Sequence, residues 1–109
     1  AIYTPIVLLF EQRRFKSAVY LSGGLDPYKP PLSDGIVYQN RIKTPTLMLN
    51  GEQDYLMPIS GQQALFDLLG AAPSDKKYIA YDAGHWPLPR NQMVNEVLAW
   101  FEKYESLRP

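Results

Sequence analysis

The sequence predicts an α/β fold in which three parallel strands are flanked by helices. The first observation behind this is the apolar run Thr46-Leu47-Met48-Leu49, which starts after Pro45 and stops at Asn50-Gly51. A strand with no polar alternation is one buried on both faces, as parallel strands beneath helices are. The second is that the pattern recurs at residues 78–81 after an intervening helical stretch. The third lies just past the end of each strand. The earlier one runs into a loop holding Glu52 and Asp54, and the later one into Asp82-Ala83-Gly84-His85, with the only histidine of the chain. Open α/β sheets bind ligands and do chemistry beyond the carboxyl ends of their strands. An acid and a histidine are thus expected at equivalent places on neighbouring strands.

Taken in order, residues 1–13 read as a helix: Ile2 and Ile6 to Phe10 are apolar, and Glu11, Gln12, Arg13 and Arg14 come after them. Pro5 is tolerable in a first turn, where its missing N–H costs little, but no residue caps this helix. Residues 15–22 alternate briefly and then become apolar, which predicts a strand ended by Gly23-Gly24. Residues 25–44 contain Pro27, Pro30, Pro31 and Gly35 and read as loop, with at most a single turn at 38–42. A parallel crossover needs about a dozen residues, so a helical lid does not fit in this link. Residues 60–69 form the clearest helix. Ser60 with Gln63 resembles a capping box, Gly70 stands where a glycine stop belongs, and Leu65, Phe66, Leu68 and Leu69 supply the buried stripe. The last helix spans 91–104, with Asn91 as its cap. Its buried face is expected to hold Val94, Val97, Leu98, Phe101 and Tyr104, widened by Trp100.

Composition narrows the function classes. A chain of 109 residues is one domain at most, and 46% hydrophobic residues suit a packed core. Eleven basic and eleven acidic residues leave no net charge, so no nucleic-acid footprint is present. Without cysteine there is neither a disulfide framework nor a thiol nucleophile. One histidine and scattered carboxylates give no zinc spacing, and Gly23-Gly24 has no third glycine opening a helix, so no metal or nucleotide cofactor is expected. A phosphoacceptor receiver domain would need an acidic pair at an earlier strand end and a lysine after a later one, and neither occurs. No apolar run is long enough to span a bilayer, and the first residues lack a secretory pattern. The compartment is left open, with the cytoplasm favoured.

Each candidate site residue also has a bland reading. Asp54 alone could be a turn residue bonding its own backbone, and His85 alone could be a packed structural histidine. Placed together at adjacent strand ends, they form half of a catalytic triad. A serine hydroxyl is a poor nucleophile until a base takes its proton, which an imidazole does near neutral pH. A carboxylate on the other ring nitrogen fixes the tautomer and stabilises the imidazolium. Asp82 is too close in sequence to His85 to orient it and is expected to brace the loop. Gly84 is expected to let the backbone turn before His85. Trp86 is expected to pack, Tyr55 either to pack or to line an apolar pocket, and Arg90 to be a surface charge at a helix start.

These stretches resemble the C-terminal half of an α/β-hydrolase. The likeness is to the dienelactone-hydrolase and prolyl-oligopeptidase-like branch, which includes hydrolase domains attached to some bacterial serine/threonine kinases. It is carried by residues 45–51, Asp54, Pro58, the Leu65-Phe66-Asp67-Leu68-Leu69-Gly70 stretch and Tyr81-Asp82-Ala83-Gly84-His85. The resemblance implies that Asp54, rather than the solvent-facing Glu52, is the acid that orients His85. It also implies that residues 1–109 are the C-terminal portion of a single hydrolase domain, starting just after the nucleophile elbow. That elbow carries G-x-S-x-G, and no such motif occurs here. Tyr20-Leu21-Ser22-Gly23-Gly24 comes nearest but lacks the first glycine, so Ser22 reads as a strand-end residue lining the site. The implied activity is ester or amide hydrolysis through an acyl-serine, with a small-molecule ester or peptide as substrate. The implied partner is the N-terminal half of the same domain, and the exposed edge of the 15–22 strand would favour self-association. The alternative is a degenerate domain that binds a ligand or partner without catalysis.

Overall fold

In a computed structural model of the chain, residues 14–24 and 39–105 are described. The expected helix at 1–13 and the body of the 25–38 loop lie outside them.

The apolar run after Pro45 forms the central strand, β2 (Thr46–Gly51), and all of its residues are buried. Strand β1 (Ala18–Leu21) pairs with it on one side and β3 (Lys76–Tyr81) on the other, both parallel, giving the order β1-β2-β3. The register aligns Ala18 with Thr46 and Thr46 with Lys76, so that Gly51 stands beside Tyr81 where the strands end. Successive residues of a strand face opposite ways, and β2 feeds two cores accordingly. Met48 packs with Tyr20, Ile42, Leu65 and Leu69, beneath helix α1 (Ile59–Leu68). Leu47 and Leu49 pack with Leu88, Trp100 and Tyr104, beneath helix α2 (Arg90–Glu105). Fully burying side chains of this size contributes about 2 kcal/mol each, which makes β2 the stable base on which both strand-end loops are built.

Helix α1 differs from its expected ends. It begins at Ile59, one residue early, and no side chain caps it. The Pro58 carbonyl accepts from the Gly61 and Gln62 N–H groups, so Ser60 falls inside the first turn and the Ser60–Gln63 box does not form. At the other end the C-cap is Leu69, with φ −57° and ψ 129°, rather than a left-handed glycine. Lys76 closes that end instead: its Nζ donates to the carbonyls of Phe66 (2.8 Å) and Leu69 (3.3 Å) and lies over the Phe66 ring. A cation there satisfies the helix's orphan carbonyls and its negative dipole end. Gly70 is needed for another reason. A Cβ at this position would stand 2.1 Å from the Asn40 carbonyl oxygen, in the short 3₁₀ turn Gln39–Arg41, which is the single turn expected after the long link.

Helix α2 starts at Arg90, so Asn91 lies within its first turn rather than capping it. It carries two adjacent apolar stripes, and only one can face the sheet. Met93, Val97, Trp100 and Tyr104 take that place. Val94, Leu98 (58%) and Phe101 (46%), expected in the core, are exposed. The larger aromatic pair decides between the stripes. Trp100 and Tyr104 pack 5.1 Å apart, and the Tyr104 hydroxyl donates to Asp75 at 2.8 Å.

Among the described residues β1 has a single strand neighbour. Its Tyr20 is fully buried, and the hydroxyl has no hydrogen-bond partner there. An unsatisfied buried hydroxyl is costly, so Tyr20→Phe is expected to stabilise the protein by about 1 kcal/mol at neutral pH. Burial also pushes the Tyr20 phenol far above its ordinary value. An unfolded tyrosine ionises near pH 10 whereas the folded one stays neutral, so ionisation favours unfolding. Wild-type stability should therefore fall as pH rises past about 10, and the advantage of Tyr20→Phe should widen there. Melts at pH 7 and pH 10.5 check both points, and a variant less stable than wild type at either pH contradicts them.

Candidate active site

Two loops leave the carboxyl ends of β2 and β3 and are stitched together at once. The Glu52 N–H donates to the Tyr81 carbonyl (2.8 Å) and the Gln53 N–H to that of Ala83 (3.0 Å), continuing the parallel ladder past the strands. The approach is close enough to exclude any side chain at Gly51. A Cβ there would lie 2.0 Å from the Gly84 carbonyl oxygen and 2.3 Å from that of Ala83. Gly84 is the glycine expected to let the backbone turn, yet its φ lies outside the left-handed range and a Cβ on it would meet nothing within 4 Å. The constraint sits on the opposite loop.

This stitching brings Asp54 to His85. Oδ2 of Asp54 lies 2.7 Å from Nδ1 of His85, with the carboxylate wholly buried and the imidazole 39% exposed. The other carboxylate oxygen, Oδ1, accepts the N–H groups of Leu56 (2.8 Å) and Met57 (2.9 Å). Turn-forming and histidine-orienting roles are thus not alternatives for Asp54, because each oxygen serves one. The turn bonds hold the carboxylate at a fixed angle to the ring. Opposite an ionised carboxylate, a neutral imidazole carries its proton on Nδ1 and donates it, leaving Nε2 as the acceptor. Among the described residues Nε2 makes no hydrogen bond. The arrangement can therefore take a proton at Nε2 and hold the resulting imidazolium against a buried negative charge.

The remaining candidates separate clearly. Glu52 is exposed, as expected, and contributes only its backbone. Asp82 is exposed and its side chain makes no hydrogen bond among the described residues, so it does not brace the loop. That work falls to backbone pairs and to Ser22, whose hydroxyl donates to the His85 carbonyl at 2.6 Å. Trp86 does not pack: it is 57% exposed, and Tyr55 is 83% exposed, so two aromatic surfaces flank the Asp54–His85 pair. Arg90 is an exposed residue at the start of α2, as expected.

Two buried amides escaped the sequence analysis. Gln62 donates through Nε2 to the carbonyls of Gly51 (3.0 Å) and Met57 (2.8 Å), bridging the two ends of the acid loop, and its Oε1 accepts from Tyr78 (2.7 Å). Its signal was its position, one turn before Leu65 on the same helical stripe. Asn50 donates to the Gly23 carbonyl at 2.8 Å and holds the end of β1. Among the described residues no group of three or more acidic or histidine side chains is placed to hold a metal ion.

A parallel sheet with its candidate site at the carboxyl strand ends is an α/β arrangement, and a solved neighbour of α/β-hydrolase type shares this fold. The crystal structure of TT1662 from Thermus thermophilus superposes with a TM-score of 0.70 at 21% identity, over 99% of this chain and 52% of that one. Residues 4–97 match the family described as serine hydrolase (FSH1), and the chain belongs to that family. Similar proteins include dipeptidyl-peptidase 5 of Aspergillus fumigatus, 26% identical over 107 residues, which cover 92% of this chain and 14% of that protein. A non-reducing polyketide synthase of Penicillium brasilianum is 33% identical over 92 residues, covering 73% of this chain and 4% of the synthase. The chain thus spans a small fraction of the curated relatives it matches.

Proposed function

We propose that this chain supplies the acid and the base of a serine hydrolase that cleaves an ester or amide through an acyl-serine intermediate. The observation that carries this is the 2.7 Å contact between buried Asp54 and His85 at the ends of adjacent parallel strands. His85 Nε2 accepts the serine proton as the hydroxyl attacks the carbonyl carbon. The imidazolium, held by Asp54, then returns the proton to the leaving alkoxide or amine, and the same base activates the water that releases the acyl group. No serine in the chain stands in a G-x-S-x-G context. The nucleophile, on this proposal, precedes residue 1 in the intact protein, and residues 1–109 are the C-terminal portion of one hydrolase domain. Likeness to dipeptidyl-peptidase 5 supports a peptide substrate, and the exposed Tyr55 and Trp86 would flank its scissile bond with apolar surface.

Asp54→Asn in the intact protein should lower kcat on a p-nitrophenyl ester by about 10⁴-fold, because an amide at this position favours the wrong imidazole tautomer. Glu52→Gln should be nearly silent. Near-normal turnover by a folded Asp54→Asn protein contradicts the proposal, whereas a folded wild-type protein without any turnover favours a ligand-binding module. Comparing the ester with a dipeptidyl p-nitroanilide separates esterase from peptidase.

A further inference from the structure

We propose that Ser22 is a positioning residue for the histidine loop: its hydroxyl clamps the His85 backbone carbonyl and so sets the imidazole against Asp54. This rests on His85 being the base. The Ser22 Oγ donates to the His85 carbonyl at 2.6 Å, a tie between the end of β1 and a loop 63 positions away. Among the described residues it is the one hydrogen bond that holds the backbone of residues 84–88. The loop is otherwise fixed behind His85, where the Gln53 N–H holds Ala83, and ahead of it, where Leu88 is buried in the core.

The anchor itself is rigid. The Ser22 N–H donates to the Leu49 carbonyl at 2.9 Å, continuing the β1–β2 ladder, and Asn50 holds the following carbonyl of Gly23. Ser22 also has a φ of 57°, the only positive value of a non-glycine residue among the described residues. A left-handed backbone costs a non-glycine residue about 1–2 kcal/mol, whereas glycine, present at the next two positions, would adopt it freely. That backbone directs the hydroxyl across the sheet end onto the histidine loop. The same contact argues against Ser22 as the nucleophile. Its single proton goes to a peptide carbonyl, which is no base, whereas a nucleophile's proton must go to the imidazole.

The test uses the intact protein. Ser22→Ala should lower kcat on a p-nitrophenyl ester by about 10²-fold with KM unchanged, the loss expected when a catalytic group is displaced by about 1 Å. The low-field proton resonance of the His85 Nδ1–H should shift or broaden. Ser22→Gly relaxes the backbone, so it should melt no lower than Ser22→Ala, yet its kcat should be equally low. Ser22→Thr keeps the hydroxyl and should recover most of kcat, although a β-branched residue at this φ lowers Tm. Wild-type kcat in folded Ser22→Ala and Ser22→Gly overturns the clamp, and so does a fluorophosphonate adduct on Ser22. His85→Ala separates the two proposals. Turnover lost there but kept in Ser22→Ala defeats the clamp alone, and turnover kept in both defeats the base assignment itself.

Discussion

His85→Ala in the intact protein is expected to lower kcat for ester hydrolysis by about 10⁴-fold or more and to leave Tm nearly unchanged. The side chain is partly exposed and makes one hydrogen bond among the described residues, to Asp54. Its removal therefore opens little core, but it leaves the Asp54 carboxylate facing a gap with two of its three partners. The Oδ1 bonds to Leu56 and Met57 remain, so the acid loop keeps its turn. Members of one catalytic unit are non-additive, so adding Asp54→Asn should cost little further activity. A double variant slower than His85→Ala by the full Asp54→Asn factor would show that the two side chains act separately.

The largest structural effect is expected from Gly51→Ala. The added methyl would meet the Gly84 oxygen at 2.0 Å, the Ala83 oxygen at 2.3 Å and the Ala83 carbonyl carbon at 2.8 Å, and all three are backbone atoms. No rotamer change clears them. Either the loops separate, losing the Glu52–Tyr81 and Gln53–Ala83 hydrogen bonds that bring Asp54 to His85, or the sheet end distorts. We expect a loss of about 3 kcal/mol or more, with hydrolysis lost in the fraction that still folds. Gly84→Ala is the comparison, since a Cβ there meets open space and should cost little. Denaturant titration of both variants measures the difference, and equal stability contradicts the close-approach account.

The strands and the Asp54–His85 pair were legible because each rests on a local pattern. Buried parallel strands read as apolar runs, and their carboxyl ends are where sites form. What the sequence hid was decided by tertiary competition. The two apolar stripes of α2 are equivalent on a helical wheel. Trp100 and Tyr104 face inward as expected, and only the sheet shows that Val94, Leu98 and Phe101 remain outside. Glycine roles at 51, 70 and 84 depend on which backbone crosses nearby, which sequence spacing does not encode. Ser60–Gln63 carried a correct capping pattern, but Pro58 started α1 one residue earlier and its carbonyl took the first helical bonds. The clamp from Ser22 and the bridge from Gln62 join residues distant in sequence or turned inward on a helix, and neither has a motif.

The most direct test of the central claim is where a fluorophosphonate reacts in the intact protein. Such a probe bonds only to a serine activated by a neighbouring base, and the activation proposed here comes from His85 held by Asp54. Peptide mapping should place the adduct on a serine outside residues 1–109, and His85→Ala should abolish labelling. An adduct on a serine within these residues would contradict the placement of the nucleophile before residue 1, and undiminished labelling of the His85→Ala protein would contradict the assignment of Asp54 and His85 as the acid and base of this hydrolase.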